Sequence, residues 1–114
     1  MIDLSGFTGS EQYYSSTFGR LNITDGVHFL REEGNCYWFI DIIESYQSIL
    51  KDEPFQVWKL KVKQNESAIV ICEDGNENVL QTQKQNYTDF QEQTGLSEIS
   101  LYCVDSVVLL PSEY

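Results

Sequence analysis

The chain predicts an α+β fold in which N-terminal helices pack on one face of a C-terminal antiparallel sheet of about five strands. Two observations carry this expectation. Helix caps and a 3.6-residue apolar period are confined to the first half of the 114 residues, whereas after Pro54 the period drops to two and turn residues recur between short apolar runs. Helices first and strands afterwards is the order of an α+β domain, read here as one domain over residues 1–114.

In the first half, Ser10 with Glu11, then Thr24 with Asp25, are cap candidates, and Gly34 is a stop, so two short helices are expected before residue 35. The strongest period runs from Tyr37 to Leu50. Phe39, Ile42, Ile43, Tyr46, Ile49 and Leu50 fall on one face, with Asp41, Glu44, Ser45 and Ser48 opposite, which marks the main core helix. Pro54 ends that region because it disfavours the helical basin at Glu53.

From Phe55 the chain alternates, with Trp58, Leu60 and Val62 on the inner side and Lys59, Lys61 and Lys63 on the wet side. Ala68 to Cys72 is a β-branched run. Asp74-Gly75-Asn76 tolerates positive φ and suits a hairpin. Val79 to Tyr87 alternates weakly, and Ile99 to Val104 and Val107 to Leu110 flank Asp105-Ser106 as another tight turn. The expected core joins Phe39, Ile42, Ile43 and Tyr46 to Trp58, Leu60, Val62, Ile69, Ile71, Leu101 and Val108.

Composition then limits function. At 41% hydrophobic and 13% aromatic the chain has enough apolar surface to fold unaided. Eighteen acidic against seven basic side chains leave a net charge of −11, which repels a phosphate backbone and argues against direct nucleic-acid binding. No apolar run approaches the about 18 residues of a membrane span, and the N-terminus lacks a basic leader, so a cytoplasmic protein without membrane contact is expected. Cys36, Cys72 and Cys103 are odd in number and widely spaced, which fits buried free thiols.

Chemistry-bearing patterns are sparse. His28 is the single histidine, and no pair among it and the cysteines has the close spacing of a zinc site, so no metal and no cofactor is expected. Cys36 lacks a nucleophile turn, and the glycines form no phosphate loop; no catalytic residue is assigned and the chain is not read as an enzyme. Asp41 and Glu44, three apart, share a helix face that reads as solvated, and Lys59, Lys61 and Lys63 guard a strand against aggregation.

Several blocks in order, Thr24-Asp25-Gly26-Val27, Tyr37-Trp38-Phe39-Ile40-Asp41 with Ser45-Tyr46-Gln47, Phe55 to Val62, Tyr87-Thr88-Asp89-Phe90 and Leu109 to Tyr114, resemble an uncharacterised family of small bacterial, plasmid and phage proteins, a domain of unknown function. That resemblance implies no activity, cofactor or site residue. With catalysis weak, the anionic surface is the dominant feature, and it is attracted to what normally grips nucleic acid.

The expected function is therefore a non-catalytic acidic protein-binding module. Its form would be a phage or mobile-element inhibitor of a host defence complex, of the anti-CRISPR or anti-restriction type, acting by nucleic-acid mimicry. The partner is a protein with a basic surface, such as a nuclease or RNA-guided complex, and the candidate partner-binding residues are Asp41, Glu44, Asp52, Glu53, Glu73, Asp74 and Glu77. The alternatives are an accessory small-molecule enzyme and a homo-oligomeric regulatory protein.

If the face holding Ile42 is the core face, Ile42→Ala costs roughly 2–5 kcal/mol. A thermal melt unchanged by that substitution would refute the assignment.

Overall fold

A computed structural model describes residues 2–114. Two three-residue strands, β1 (Tyr13–Ser15) and β2 (Asn22–Thr24), precede two nine-residue helices, α1 (Asp25–Glu33) and α2 (Tyr37–Ser45). A meander of β3 (Phe55–Val62), β4 (Ala68–Glu73) and β5 (Val79–Gln85) follows. A short helix α3 (Phe90–Thr94) leads to β6 (Glu98–Val104) and β7 (Val107–Leu109), and a 3-10 turn over Pro111–Glu113 ends the chain.

The strands form one seven-stranded sheet in the order β1-β2-β7-β6-β3-β4-β5. Every neighbouring pair is antiparallel except β2 and β7, which run parallel with Asn22 opposite Val107 and Ile23 opposite Val108. The expected arrangement of N-terminal helices on a five-stranded antiparallel sheet is thus corrected. The sheet is mixed and has seven strands, and two of them precede the helices. No helix starts at Ser10; Tyr13 to Ser15 is extended and hydrogen-bonds to β2 instead. The reason is non-local. Three-residue strands carry no readable period, and Ile23 is held in the sheet by a partner 85 residues further along.

Because β2 and β3 point the same way on either side of β7 and β6, the chain crosses the sheet between them, and α1 and α2 form that crossover. Thr24 caps α1 by accepting from the Val27 N–H at 3.4 Å. The helices bury Val27, Leu30, Phe39, Ile40, Ile42 and Ile43 against Ile23, Trp58, Leu60, Val70, Cys72, Leu101, Cys103 and Val108. Phe39, Ile42, Ile43, Trp58, Leu60, Leu101 and Val108 therefore lie in the core as the periodicity requires, with Tyr46 and Val62 packed at its border.

Two expected core residues do not. In β4 the inner positions are Ala68, Val70 and Cys72, so Ile69 and Ile71 point to the opposite face, half-buried. An uninterrupted apolar run does not reveal which alternate set faces inward. Ile49 is also displaced: α2 ends at Ser45, the chain turns, and Ile49 is 65% exposed.

The C-terminus locks the start of α1. Glu113 accepts from the Thr24 hydroxyl (2.6 Å), the Gly26 N–H (3.2 Å) and the Leu110 N–H (3.0 Å), placing a carboxylate at the helix N-terminus. A Cβ at Gly26 would stand 2.5 Å from Leu110 Cδ1 and 2.7 Å from Glu113 Oε1, so it would push both side-chain ends aside and disturb the Glu113 bonds. Gly26→Ala is expected to lower stability by about 1–3 kcal/mol, and Glu113→Ala by a comparable amount. Denaturant melts check both, and because the two changes disrupt one contact, their double variant should lose less than the sum.

Candidate functional site

The starts of β2, β3, β5 and β7 and the ends of β1, β4 and β6 share one end of the sheet. Four chain reversals collect there, over residues 16–21, 46–54, 74–78 and 105–106. Backbone bonds tie three of them together: the Asn22 N–H donates to the Ser106 carbonyl at 3.0 Å, and the Asp105 N–H to the Pro54 carbonyl at 3.3 Å. Asp105 and Ser106 both have positive φ, 50° and 66°, forming the tight turn their identities suggest.

This end gathers the sequence candidates, but they do different things. Asp52 and Glu77 are exposed, and Glu53 is half-buried. Glu73 is paired with Lys59 at 3.2 Å. Asp74 closes its own hairpin, accepting from the Asn76 N–H (2.8 Å), the Asn78 N–H (3.2 Å) and the Asn78 side-chain amide (2.9 Å). Those bonds, led by the Asn78 amide, hold its carboxyl below the usual range. Asp105, exposed beside them, was missed as a candidate because only the fold brings residue 105 next to residues 53 and 54.

Glu44 is a correction. Its place opposite the apolar face of α2 implied solvent, yet it is 1% exposed. The reversal after β1 wraps over it: Ser16 Oγ donates at 2.5 Å, the Phe18 N–H at 3.0 Å and the Arg20 N–H at 2.9 Å. Burial pushes its carboxyl up, but the Ser16 hydroxyl, the two N–H groups and the Arg20 charge outweigh that and leave it below its ordinary value. Glu44 is thus a structural anchor, not a surface contact. One turn earlier, Asp41 accepts from the Thr17 hydroxyl of the same reversal at 2.5 Å.

A cleft of about 320 Å³ opens between these reversals, lined by Gln47, Lys51, Glu53, Gln56, Cys103 and Asp105 among others. Gln56 is buried, and its amide is fully engaged. Its oxygen accepts from Trp58 Nε1 and from Gln47 Nε2, both at 2.9 Å, and its nitrogen donates to Gln47 Oε1 and the Glu53 carbonyl, both at 3.1 Å. The network fixes the wall of the cleft.

The thiols offer no nucleophile here. Burial pushes Cys36, Cys72 and Cys103 each up to about 12, so they stay protonated at neutral pH. For Cys72 the Cys103 thiol and then the negative charges of Glu53, Glu73 and Asp74 add to burial, which shows how closely those carboxylates surround this end. His28 is held elsewhere, stacked on Tyr14 at 3.8 Å and 7°, with Nδ1 3.2 Å from Arg31 Nη2. Among the described residues no group of three His, Cys, Asp or Glu is placed to hold a metal ion, and no helix is long and apolar enough to cross a membrane.

These features define a mixed sheet with helices on one face and an acidic set of loops at one end. The chain belongs to the family described as a family of unknown function, DUF6876, whose model matches residues 2–114. No curated protein and no solved structure matches it.

The Glu44 anchor generates a pH prediction. A carboxyl whose folded value is lowered stabilises the fold fully above its unfolded value, ordinarily 4.5, and that contribution disappears as pH falls from there through the lowered folded value. Thermal melts across this window should show a steep acid limb for the native chain. Glu44→Gln should be less stable at neutral pH, by about 1–3 kcal/mol, with a shallower limb. Parallel limbs for the two proteins would remove Glu44 from this role.

Proposed function

We propose that this is a non-catalytic binding protein that presents the acidic end of its sheet to a basic, nucleic-acid-handling surface of a protein partner. The observation that carries the reading is convergence. Asp52, Glu53, Asp74, Glu77 and Asp105 come from three reversals far apart in sequence and meet at one end, around a cleft. Lys51 and Arg20 are the cations of the reversals at that end. On a chain of net charge −11, such a patch focuses a negative field that steers a cationic surface toward it.

Rigidity supports the same reading. The 16–21, 46–54 and 105–106 loops are tied to one another or to Glu44, and the 74–78 hairpin is closed by Asp74, so these carboxylates are preorganised and binding orders little further chain. The cleft between Glu53 and Asp105 has the size to admit a long cationic side chain of the partner. Occupation of a channel that otherwise holds DNA or guide RNA, with carboxylates standing in for phosphates, is the specific form of inhibition we propose.

The test is the affinity for a partner captured from the native host cytosol. It should fall about tenfold or more between about 0.05 and 0.3 M salt. Replacing Asp52, Glu53 and Glu77 by their amides should weaken it further, and duplex DNA should compete. An affinity indifferent to salt and to the triple replacement contradicts the reading.

A further inference from the structure

The helices cover one face of the sheet and leave the other bare. The register places Phe55, Val57, Lys59 and Lys61 of β3 on the bare face, with Ile69, Ile71 and Glu73 of β4 beside them. Glu98, Ser100, Tyr102 and Val104 of β6 flank them on one side, and Thr82 and Lys84 of β5 on the other. Phe55, Val57, Ile69, Ile71, Tyr102 and Val104 are all only half-buried. Tyr114 packs on this face at Phe55 and Tyr102, with ring centroids 5.6 and 5.5 Å apart; the rest of this apolar face has no layer over it, and such faces mark interaction sites.

Its charge differs from the rest of the molecule. Lys59, Lys61 and Lys84 against Glu73 and Glu98 make the face net +1, so the remainder of the chain carries −12. Another molecule of the same strongly anionic chain meets least repulsion here. The face is also self-complementary. One cross-strand row reads Glu98, Lys61, Ile69, Lys84 from β6 to β5. A two-fold axis along the strands, between β3 and β4, reverses that row, so Glu98 of each copy meets Lys84 of the other and each Lys61 stem lies over Ile69.

We infer that the bare face is the interface of a homodimer in which two sheets stack face to face. The four strands β6, β3, β4 and β5 with β7 span about 24 Å across and about 23 Å along. That plan area, about 550 Å² per partner, falls short of the about 800 Å² of a standard interface and sits in the range of smaller specific contacts. The acidic loops lie at the sheet end and stay exposed in the dimer, so this inference stands or falls separately from the partner reading.

Sedimentation of the full chain should give a species of twice the 13.2 kDa protomer. Lys84→Glu and Glu98→Lys change exposed side chains and leave the fold intact, as circular dichroism will verify. Each single replacement should weaken the dimer by about tenfold or more, and the double replacement should restore it. A chain that stays monomeric at about 0.1 mM overturns the inference and leaves the face to a different protein. A dimer indifferent to Lys84→Glu and Glu98→Lys places the contact elsewhere and overturns it equally.

Discussion

The parallel pairing of β2 with β7 is the constraint from which the architecture follows. It sets an N-terminal strand beside the last strand of the chain, with Ile23 opposite Val108, both fully buried. Once β2 stands there, the route to β3 must cross β7 and β6, and a parallel crossover needs a long connection. Helices α1 and α2 make it and in doing so supply most of the core's second layer, completed by Leu50 and by Phe90 of α3. The remaining strand connections are hairpins, apart from the segment holding α3. One face is covered, the other bare, and the hairpin ends are left to carry charge.

Both ends of the crossover are anchored by a carboxylate. At its start, Glu113 satisfies the Thr24 hydroxyl and the Gly26 N–H, so the C-terminal residues hold the first turn of α1 against β7. Toward its end, Glu44 gathers the Phe18 and Arg20 N–H groups and the Ser16 hydroxyl. Buried polar groups remain in native folds when they are hydrogen-bonded, as Glu44 is; Glu113 is half-buried and accepts three bonds. Part of the chain's acidity is therefore internal scaffolding; of the exposed carboxylates, Asp52, Glu77 and Asp105 stand at the loop end with Glu53 and Asp74, while Asp3, Glu11, Glu32, Glu33, Glu66, Glu92 and Glu98 lie elsewhere on the surface.

Local signals in the sequence place part of the local structure, though they wrongly suggest a helix at Ser10 and miss the end of α2 at Ser45. The Thr24 cap and Gly34 stop bound α1, the apolar face of α2 is buried from Phe39 to Ile43, and the tight turns at Asp74-Gly75-Asn76 and Asp105-Ser106 lie where those residues stand. What was not legible depends on partners distant in sequence. The strands β1 and β2 are too short to show alternation and exist because β7 accepts β2. Glu44 looked solvated because helical periodicity contains no information about a loop 26 residues earlier that closes over it. Ile69 and Ile71 looked internal because a continuous apolar run fits either register, and their true side is what makes the bare face apolar. Of the candidate carboxylates, the sequence supplies the types and the topology alone brings them, with Asp105, to one end.

Recognition at the acidic loop end of the sheet is the proposal that most needs a direct test. Amide chemical-shift mapping on the isotope-labelled chain, titrated with a lysine-rich peptide, tests it most directly. Shifts should concentrate at residues 51–54, 74–78 and 105–106 and vanish as salt is raised. Shifts spread evenly over the carboxylate-bearing surface, or centred on the outer faces of α1 and α2, would contradict it.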